Sequence, residues 1–175
     1  MSNIVLIGMM GSGKSTLSHL LSKKTGYSII DCDSEIEKSE GMSISEIFSA
    51  HGESYFRALE KSFLEDLSCD STIISTGGGM ILQEDNVIAL MGLGHVIYLS
   101  GTLDTLVSRL LSGTENRPLL DETSLRSQVS DLLSTREILY QTSCDDVVEI
   151  DGKSPEEIVS EIYGILSEID YNFSG

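Results

Sequence analysis

The sequence of 175 residues has little cysteine, little proline and no long apolar run. Its three cysteines, Cys32, Cys69 and Cys144, are far apart and form no Cys-x-x-Cys pair, so they predict neither a zinc site nor a disulfide framework. No stretch approaches the roughly 18 apolar residues of a transmembrane helix, and the first residues lack the basic region of a signal peptide. We therefore expect a globular protein of the cytoplasm that has no membrane partner.

Positive charge is scarce as well. The chain has 11 lysines and arginines against 28 aspartates and glutamates, which gives a net charge of −17. A strongly acidic surface repels nucleic acid and anionic membranes, so we expect neither as a partner. Nucleotide phosphates are also anions, and a phosphoryl-transfer enzyme of this composition should concentrate its few arginines at the site. The arginines are Arg57, Arg109, Arg117, Arg126 and Arg136.

Residues 8–16 read GMMGSGKST, the pattern of a phosphate-binding loop, between an apolar run and a helical pattern. In that strand–loop–helix context the backbone amides and the positive end of the helix bind phosphate. We expect Lys14 to reach the β- and γ-phosphates and the Ser15 hydroxyl to bind Mg²⁺. The alternative is a glycine-rich turn without a ligand. The residues predicted to hold the nucleotide here are Gly11, Ser12, Gly13, Lys14, Ser15 and Thr16.

Short apolar runs alternate with helical periodicity along the whole chain. The predicted strands are Asn3–Ile7, Ser28–Asp31, Thr72–Thr76, His95–Leu99 and Asp146–Ile150. The predicted helices are Lys14–Thr25, Asp33–Glu40, Ser43–Ala50, Gly52–Leu67, Glu84–Leu90, Thr102–Leu111, Thr123–Thr142 and Ser154–Ile169. Strands that alternate with helices form a parallel sheet covered on both faces, and ligands bind at the carboxyl ends of its strands. The length predicts a single domain, residues 1–175.

Three segments break this alternation. About 40 residues separate the second and third strands, more than a crossover needs, and we interpret the excess, about residues 33–68, as a substrate-binding insertion. The triglycine Gly77–Gly79 follows the third strand. Glycine weakens strands and helices alike, so bare amides that approach a ligand explain it better than a tight turn does. Residues 112–123 combine a polar hinge with Arg117, which predicts a lid whose cation closes onto phosphate.

Asp31 and Asp33 end the second strand, at the same edge of the sheet as the phosphate-binding loop. In an extended chain both carboxylates would share one face, whereas a turn at Cys32 would separate them. One carboxylate near Ser15 can hold Mg²⁺ through its water shell. The other can align a substrate hydroxyl or accept its proton. The alternative for Asp33 is an N-cap of the following helix.

Three arginines on predicted helices are ambiguous from the sequence. Arg57 lies four residues after Glu53 and three before Glu60, a spacing that favours a surface ion pair worth about 0.2–0.5 kcal/mol over a fork for a substrate carboxylate. For Arg109 and Arg136 the pattern leaves a solvated helix face and a functional position equally open.

Several segments together resemble shikimate kinases in their order and approximate spacing, from residue 4 to about residue 168. The segments that carry the resemblance are Gly8–Thr16, Asp31–Asp33, Phe56-Arg57, Gly77–Gly79, Asn116–Leu119 and Arg136-x-x-x-Tyr140. The resemblance implies the nucleoside-monophosphate-kinase-like branch of the P-loop proteins. It implies an α/β fold with a five-stranded parallel sheet in the order 2-3-1-4-5, flanked by helices.

The resemblance also implies an activity, the ATP-dependent phosphorylation of the 3-hydroxyl of shikimate by a monomeric enzyme. Lys14, Asp33 and Arg117 would be the catalytic residues, and Ser15 with Asp31 would serve Mg²⁺. The residues implied in ATP binding beyond the loop are Arg109, which would flank adenine, Arg117 and Lys153. The residues implied in shikimate binding are Asp33, Arg57, Gly77, Gly78, Gly79 and Arg136.

Two other functions stay open at this point. A gluconate-kinase-like enzyme would share the phosphate-binding loop and an anionic polyol substrate, but we would not expect the Asp-x-Asp and triglycine set there. A catalytically silent nucleotide-binding module predicts a damaged loop or lid. Lys14, Ser15, Asp33 and Arg117 are all present, which speaks against the second alternative.

Overall fold

Five short segments form the parallel sheet that the sequence predicts. They are β1 (Asn3–Ile7), β2 (Ser28–Asp31), β3 (Thr72–Ser75), β4 (Gly94–Ser100) and β5 (Asp146–Glu149). Their order across the sheet is β2-β3-β1-β4-β5, and each neighbouring pair is parallel. This computed structural model describes residues 3–112 and 122–169. The strand order confirms the fold that the family resemblance implies.

Helices connect the strands and cover the sheet. Those in the described residues are α1 (Lys14–Thr25), α2 (Cys32–Glu40), α3 (Ile44–His51), α4 (Glu53–Asp66), α5 (Glu84–Leu93), α6 (Leu103–Ser112), α7 (Glu122–Thr142) and α8 (Pro155–Glu168), with a 3₁₀ turn at Met80–Leu82. Ser43 and Ser154 begin α3 and α8 with full capping boxes, in which the serine hydroxyl accepts from the backbone N–H of a glutamate three residues on.

Most element ends differ from the predicted ones by a single residue, because terminal hydrogen bonds fray. The larger difference is α5, which continues to Leu93 and leads directly into β4. The helix predicted from the sequence ended at Leu90. Gly92 is exposed on the helix surface, and the Leu93 carbonyl at the helix end accepts a hydrogen bond from the Asn3 side chain.

The central strand carries the core. All five residues of β1 are buried, which requires cover on both faces of the sheet. In the sequence, a strand covered on both faces appears as a continuous run of apolar residues rather than as an alternation of apolar and polar residues. In the register of the sheet, Leu6 pairs with Ser75 and Ser75 pairs with Asp31, so the carboxyl ends of β1, β2 and β3 meet at one edge.

The three helices between β2 and β3 have a small core of their own. Ile36, Ile47 and Phe56, from α2, α3 and α4, form a buried cluster separate from the main one. This cluster holds α4 at the edge of the sheet where β1, β2 and β3 end. Among the described residues, no helix is long and apolar enough to cross a membrane.

At the opposite edge of the sheet, where the strands begin, the side chain of Asn3 connects neighbouring segments through hydrogen bonds. Its amide nitrogen donates to the carbonyls of Cys69 and Leu93, each at 3.0 Å, and its oxygen accepts from the Thr72 amide at 3.1 Å. The residue is buried. One side chain therefore joins the starts of β1 and β3 to the end of α5.

We expect Asn3→Leu to lower the free energy of unfolding by about 2–4 kcal/mol, since it leaves buried carbonyl and amide groups without partners. Urea unfolding measures the change. Gln128→Leu is the control, because Gln128 is exposed on α7 and bonds only to Ser124 in the described residues; its effect should stay within about 0.5 kcal/mol. Equal unfolding midpoints for the two variants would show that the Asn3 bonds contribute little.

Candidate active site

A cavity of about 660 Å³ lies at the edge where β1, β2 and β3 end, a volume typical of small-molecule sites. It receives side chains from α2, α3, α4, α6 and α7. Its lining consists of Met10, Gly11, Gly13, Lys14, Ser15, Thr16, Asp31, Asp33, Ile44, Phe48, Glu53, Phe56, Arg57, Glu60, Ser75, Thr76, Gly77, Gly78, Gly79, Arg109, Leu132 and Arg136. The structure thus brings together nearly all of the predicted site residues in the part of the chain that it describes. The exceptions are Ser12 and Lys153.

The loop between β1 and α1 has the geometry of an anion site. Gly11 and Gly13 have φ of 82° and 92°, a left-handed conformation that side-chain-bearing residues rarely adopt. At Gly11 a Cβ would also come within 2.7 Å of the Leu106 carbonyl oxygen. Gly13 caps α1 without a side chain, so the first amides of the helix are left for a ligand.

Lys14 is held by its own loop. Its ammonium group donates to the carbonyls of Gly8 at 2.7 Å and Met9 at 3.1 Å, and lies 3.4 Å from the Ser12 hydroxyl. Burial lowers the pKa of Lys14 to about 8, against the opposing charges of Asp33 and Asp31. A nucleotide phosphate in the loop would favour the charged form.

The turn at Cys32 separates the two aspartates, because α2 begins at that residue. Asp31 is the N-cap: one carboxylate oxygen accepts from the Ser34 amide at 3.0 Å, and the other accepts from the Ser15 hydroxyl at 3.3 Å. The alternative that Asp33 caps the helix is therefore wrong. Ser15 and Asp31 offer a hydroxyl and a carboxylate side by side, and such oxygen donors fit Mg²⁺.

Asp33 points toward the triglycine instead. A Cβ at Gly77 would lie 2.4 Å from its Oδ1, and this buried oxygen has no hydrogen-bond partner among the described residues. Burial raises the pKa of the Asp33 carboxyl, the charge of Asp31 adds to the shift, and Lys14 opposes it. A buried acceptor without a partner at a cavity wall is suited to a ligand hydroxyl.

Arg57 forms both ion pairs that the spacing predicts, but only the pair with Glu53 lies at the surface. Its side chain is 13% exposed and donates to Glu60 at 2.7 Å and to the exposed Glu53 at 3.0 Å. Its guanidinium lies against Gly79, where a Cβ would come within 2.4 Å of it. The sequence pattern underestimated the burial of Arg57 because one partner, Glu60, does not lie on the solvated face of α4.

Glu60 is the site residue that the sequence reasoning missed. Its side chain is 0% exposed, and one of its oxygens has no partner among the described residues. Burial raises the pKa of the carboxyl, and Arg57 opposes that shift. A signal was present: Glu60 follows the buried Phe56 by four residues and so lies on the same face of α4.

Arg109 from α6 and Arg136 from α7 also line the cavity. Arg136 donates to the Gly78 carbonyl at 3.3 Å. Arg109 donates to Ser12 and Ile150 carbonyls at 3.2 Å each, and so links the phosphate-binding loop to the loop before α8. The Lys153 ammonium pairs with Glu161 at 2.5 Å. Its predicted role at the nucleotide stays a prediction.

The predicted lid, about residues 112–123, lies mostly outside the described residues. Arg117 is among the residues that fall outside them. Among the described residues, the cations that line the cavity are Lys14, Arg57, Arg109 and Arg136. Lys14 follows from the loop pattern, and the three arginines are among those that the family resemblance implies.

Comparison with known families agrees with this geometry. The family model described as shikimate kinase matches residues 10–167. The chain belongs to the shikimate kinase family. A shikimate kinase from Persephonella marina is 42% identical over 165 residues, which covers 94% of this chain and 98% of that protein.

Solved structures give the same result. A shikimate kinase from Acinetobacter baumannii in complex with shikimate superimposes with a TM-score of 0.87 at 31% identity, covering 98% of this chain and 96% of that one. A gluconokinase from Sinorhizobium meliloti superimposes with a TM-score of 0.56 at 19% identity, covering 96% and 93%, and so shares only the fold.

In this shikimate kinase family member, Arg57 is in close contact with Gly79. We therefore expect alanine to destabilise the protein more at Gly79 than at Gly78. Gly79→Ala should destabilise the protein by about 1–3 kcal/mol, since the new methyl group displaces a partly buried, ion-paired guanidinium. Gly78→Ala is the matched control: its Cβ would have no neighbour nearer than 3.6 Å. Urea unfolding of both variants measures the difference. Equal stability would mean that Arg57 moves aside without cost.

Proposed function

We propose that this protein transfers the γ-phosphoryl group of ATP to the 3-hydroxyl of shikimate, giving shikimate 3-phosphate for aromatic amino-acid biosynthesis. One observation carries the proposal: a single cavity joins a phosphate-binding loop to two arginines, Arg57 and Arg136, that both contact the triglycine. The first half suits a nucleotide triphosphate and the second a carboxylate-bearing acceptor. Membership of the shikimate kinase family and the shikimate bound by the Acinetobacter baumannii relative support the same reading.

The donor half holds ATP. The amides from Gly11 to Thr16 surround the phosphates, and Lys14 leaves its loop carbonyls for the β- and γ-phosphates. Arg109 flanks adenine, and the loop of Lys153 borders it. Phosphoryl transfer requires mainly in-line positioning and neutralisation of charge, and Arg117 adds a further cation when the lid closes.

Ser15 would hold Mg²⁺ directly and Asp31 would hold it through water, because Mg²⁺ prefers oxygen ligands and keeps most of its waters. When bound with ATP, the ion neutralises charge on the phosphate oxygens.

The acceptor half fixes shikimate at both ends. Arg57 and Arg136 bind its carboxylate with the Gly78 and Gly79 backbone, which removes orientational freedom. Asp33, beside Gly77, accepts a hydrogen bond from the 3-hydroxyl. The hydroxyl oxygen forms the new bond to the γ-phosphorus as the bond to the β-phosphate oxygen breaks, and the hydroxyl proton leaves toward Asp33. Its raised pKa makes Asp33 a stronger proton acceptor once ionised.

We further propose that the chain acts as a single kinase domain, with residues 33–68 as the acceptor-binding part and residues 112–123 as the lid. The use of ATP suits the cytoplasm, and the resemblance to shikimate kinases implies a monomer. The alternative of a gluconate-kinase-like enzyme is not favoured, because its solved relative shares only the fold. A silent nucleotide-binding module is not favoured either, since Lys14, Ser15 and Asp33 line one cavity.

ADP release with different acceptors tests the proposal. With ATP and Mg²⁺ we expect rapid release with shikimate and background release with gluconate or without an acceptor. Lys14→Ala should lower the shikimate-dependent rate by about 100-fold or more, which excludes a contaminating kinase. Release with gluconate but not with shikimate would overturn the assignment.

A further inference from the structure

Tyr140 lies next to the acceptor half of the cavity but does not line it. It follows Arg136 by four residues on α7, so the two side chains lie on the same face of the helix. Tyr140 is fully buried, and its ring stacks on that of Tyr98 from β4, with ring centroids 5.0 Å apart and planes 13° apart. Packing against the core therefore fixes the position of its hydroxyl.

The Tyr140 hydroxyl donates a hydrogen bond to the Gly78 carbonyl. Arg136 donates to the same carbonyl at 3.3 Å. A carbonyl oxygen has two lone pairs and can accept both bonds. Burial raises the pKa of Tyr140 to about 12, with Arg136 opposing the shift, so the hydroxyl remains a donor near neutral pH.

The bond to Gly78 also determines where the next amide points. In a trans peptide the C=O of Gly78 and the N–H of Gly79 point in opposite directions. With the carbonyl directed at α7, the Gly79 N–H is directed away from it. No described residue accepts a backbone hydrogen bond from this N–H. Gly79 lies against the Arg57 guanidinium, so amide and cation are available to the same anion.

We propose that Tyr140 is a positioning residue for the acceptor carboxylate. It keeps the Gly78 carbonyl paired when Arg136 leaves that carbonyl for the ligand, and it holds the Gly79 N–H toward the same carboxylate. This inference rests on the proposed function, because it takes shikimate as the acceptor. Without the hydroxyl, each departure of Arg136 would leave a partly buried carbonyl without a partner, a cost that shikimate binding would have to offset.

Two matched substitutions test the proposal. Tyr140→Phe keeps the stacked ring and removes one buried hydroxyl. Tyr98→Phe removes the hydroxyl of the stacking partner, which bonds to Ser100 rather than to the triglycine. We expect Tyr140→Phe to raise the KM and Kd for shikimate by about 5- to 30-fold, which corresponds to about 1–2 kcal/mol, and to leave the KM for ATP unchanged. Tyr98→Phe should leave both KM values unchanged.

A double-mutant cycle with Arg136→Ala identifies the route of the effect. If Tyr140 acts by releasing Arg136 and aiming the Gly79 amide, its removal should cost less in the Arg136→Ala background than in the wild type. Because kcat/KM is read from the initial slope, weak binding does not prevent the measurement. An undiminished loss in that background, or equal KM values for Tyr140→Phe and Tyr98→Phe, overturns the proposal. Failure of the wild-type protein to use shikimate would instead overturn the proposed function.

Discussion

The site depends on the parallel pairing of β3 with both β1 and β2. This register places Ile7, Asp31 and Ser75 at neighbouring strand ends, so the phosphate-binding loop, the two aspartates and the triglycine all leave the sheet at one edge. A slip of one residue in β3 would turn its side chains to the opposite faces and move Gly77 away from Asp33. At the other edge of the sheet, the Asn3 side chain joins the strand starts. The strand register that packs the core therefore also assembles the site.

A protein with a net charge of −17 must bind two anions in one cavity. The described cations of that cavity are each held by oxygen acceptors before a ligand arrives: Lys14 and Arg109 by carbonyls, Arg57 by Glu53 and Glu60, and Arg136 by Gly78. Arg57 keeps its carboxylate partners and so loses little conformational entropy when the ligand binds, whereas Lys14 and Arg136 exchange their carbonyl partners for the ligand. The triglycine is part of the same arrangement, because Asp33 and Arg57 occupy the space where Gly77 and Gly79 would carry side chains.

Local patterns predicted the strands, most helices and the phosphate-binding loop, because each depends on a few consecutive residues. The resemblance to shikimate kinases supplied the strand order and the acceptor residues. What the sequence did not show depends on contacts between distant segments. The burial of Glu60 results from the packing of α4 at the sheet edge. The choice of Asp31 rather than Asp33 as the helix cap is local instead, because α2 begins at Cys32. The extension of α5 to Leu93 depends on a side chain 90 residues away.

In the proposed function, the cavity has a donor half and an acceptor half with separate cations. Two arginines on α7 allow a direct test: Arg136 faces the cavity, whereas Arg126 pairs with the exposed Asp104 outside it. Calorimetric titration of Arg136→Ala and Arg126→Ala should be made with shikimate and, separately, with a non-hydrolysable ATP analogue. We expect Arg136→Ala to raise the Kd for shikimate by about 30- to 1,000-fold and to keep the nucleotide Kd within about twofold. Arg126→Ala should change neither Kd. Equal loss of nucleotide and shikimate binding in Arg136→Ala would contradict this division of the cavity.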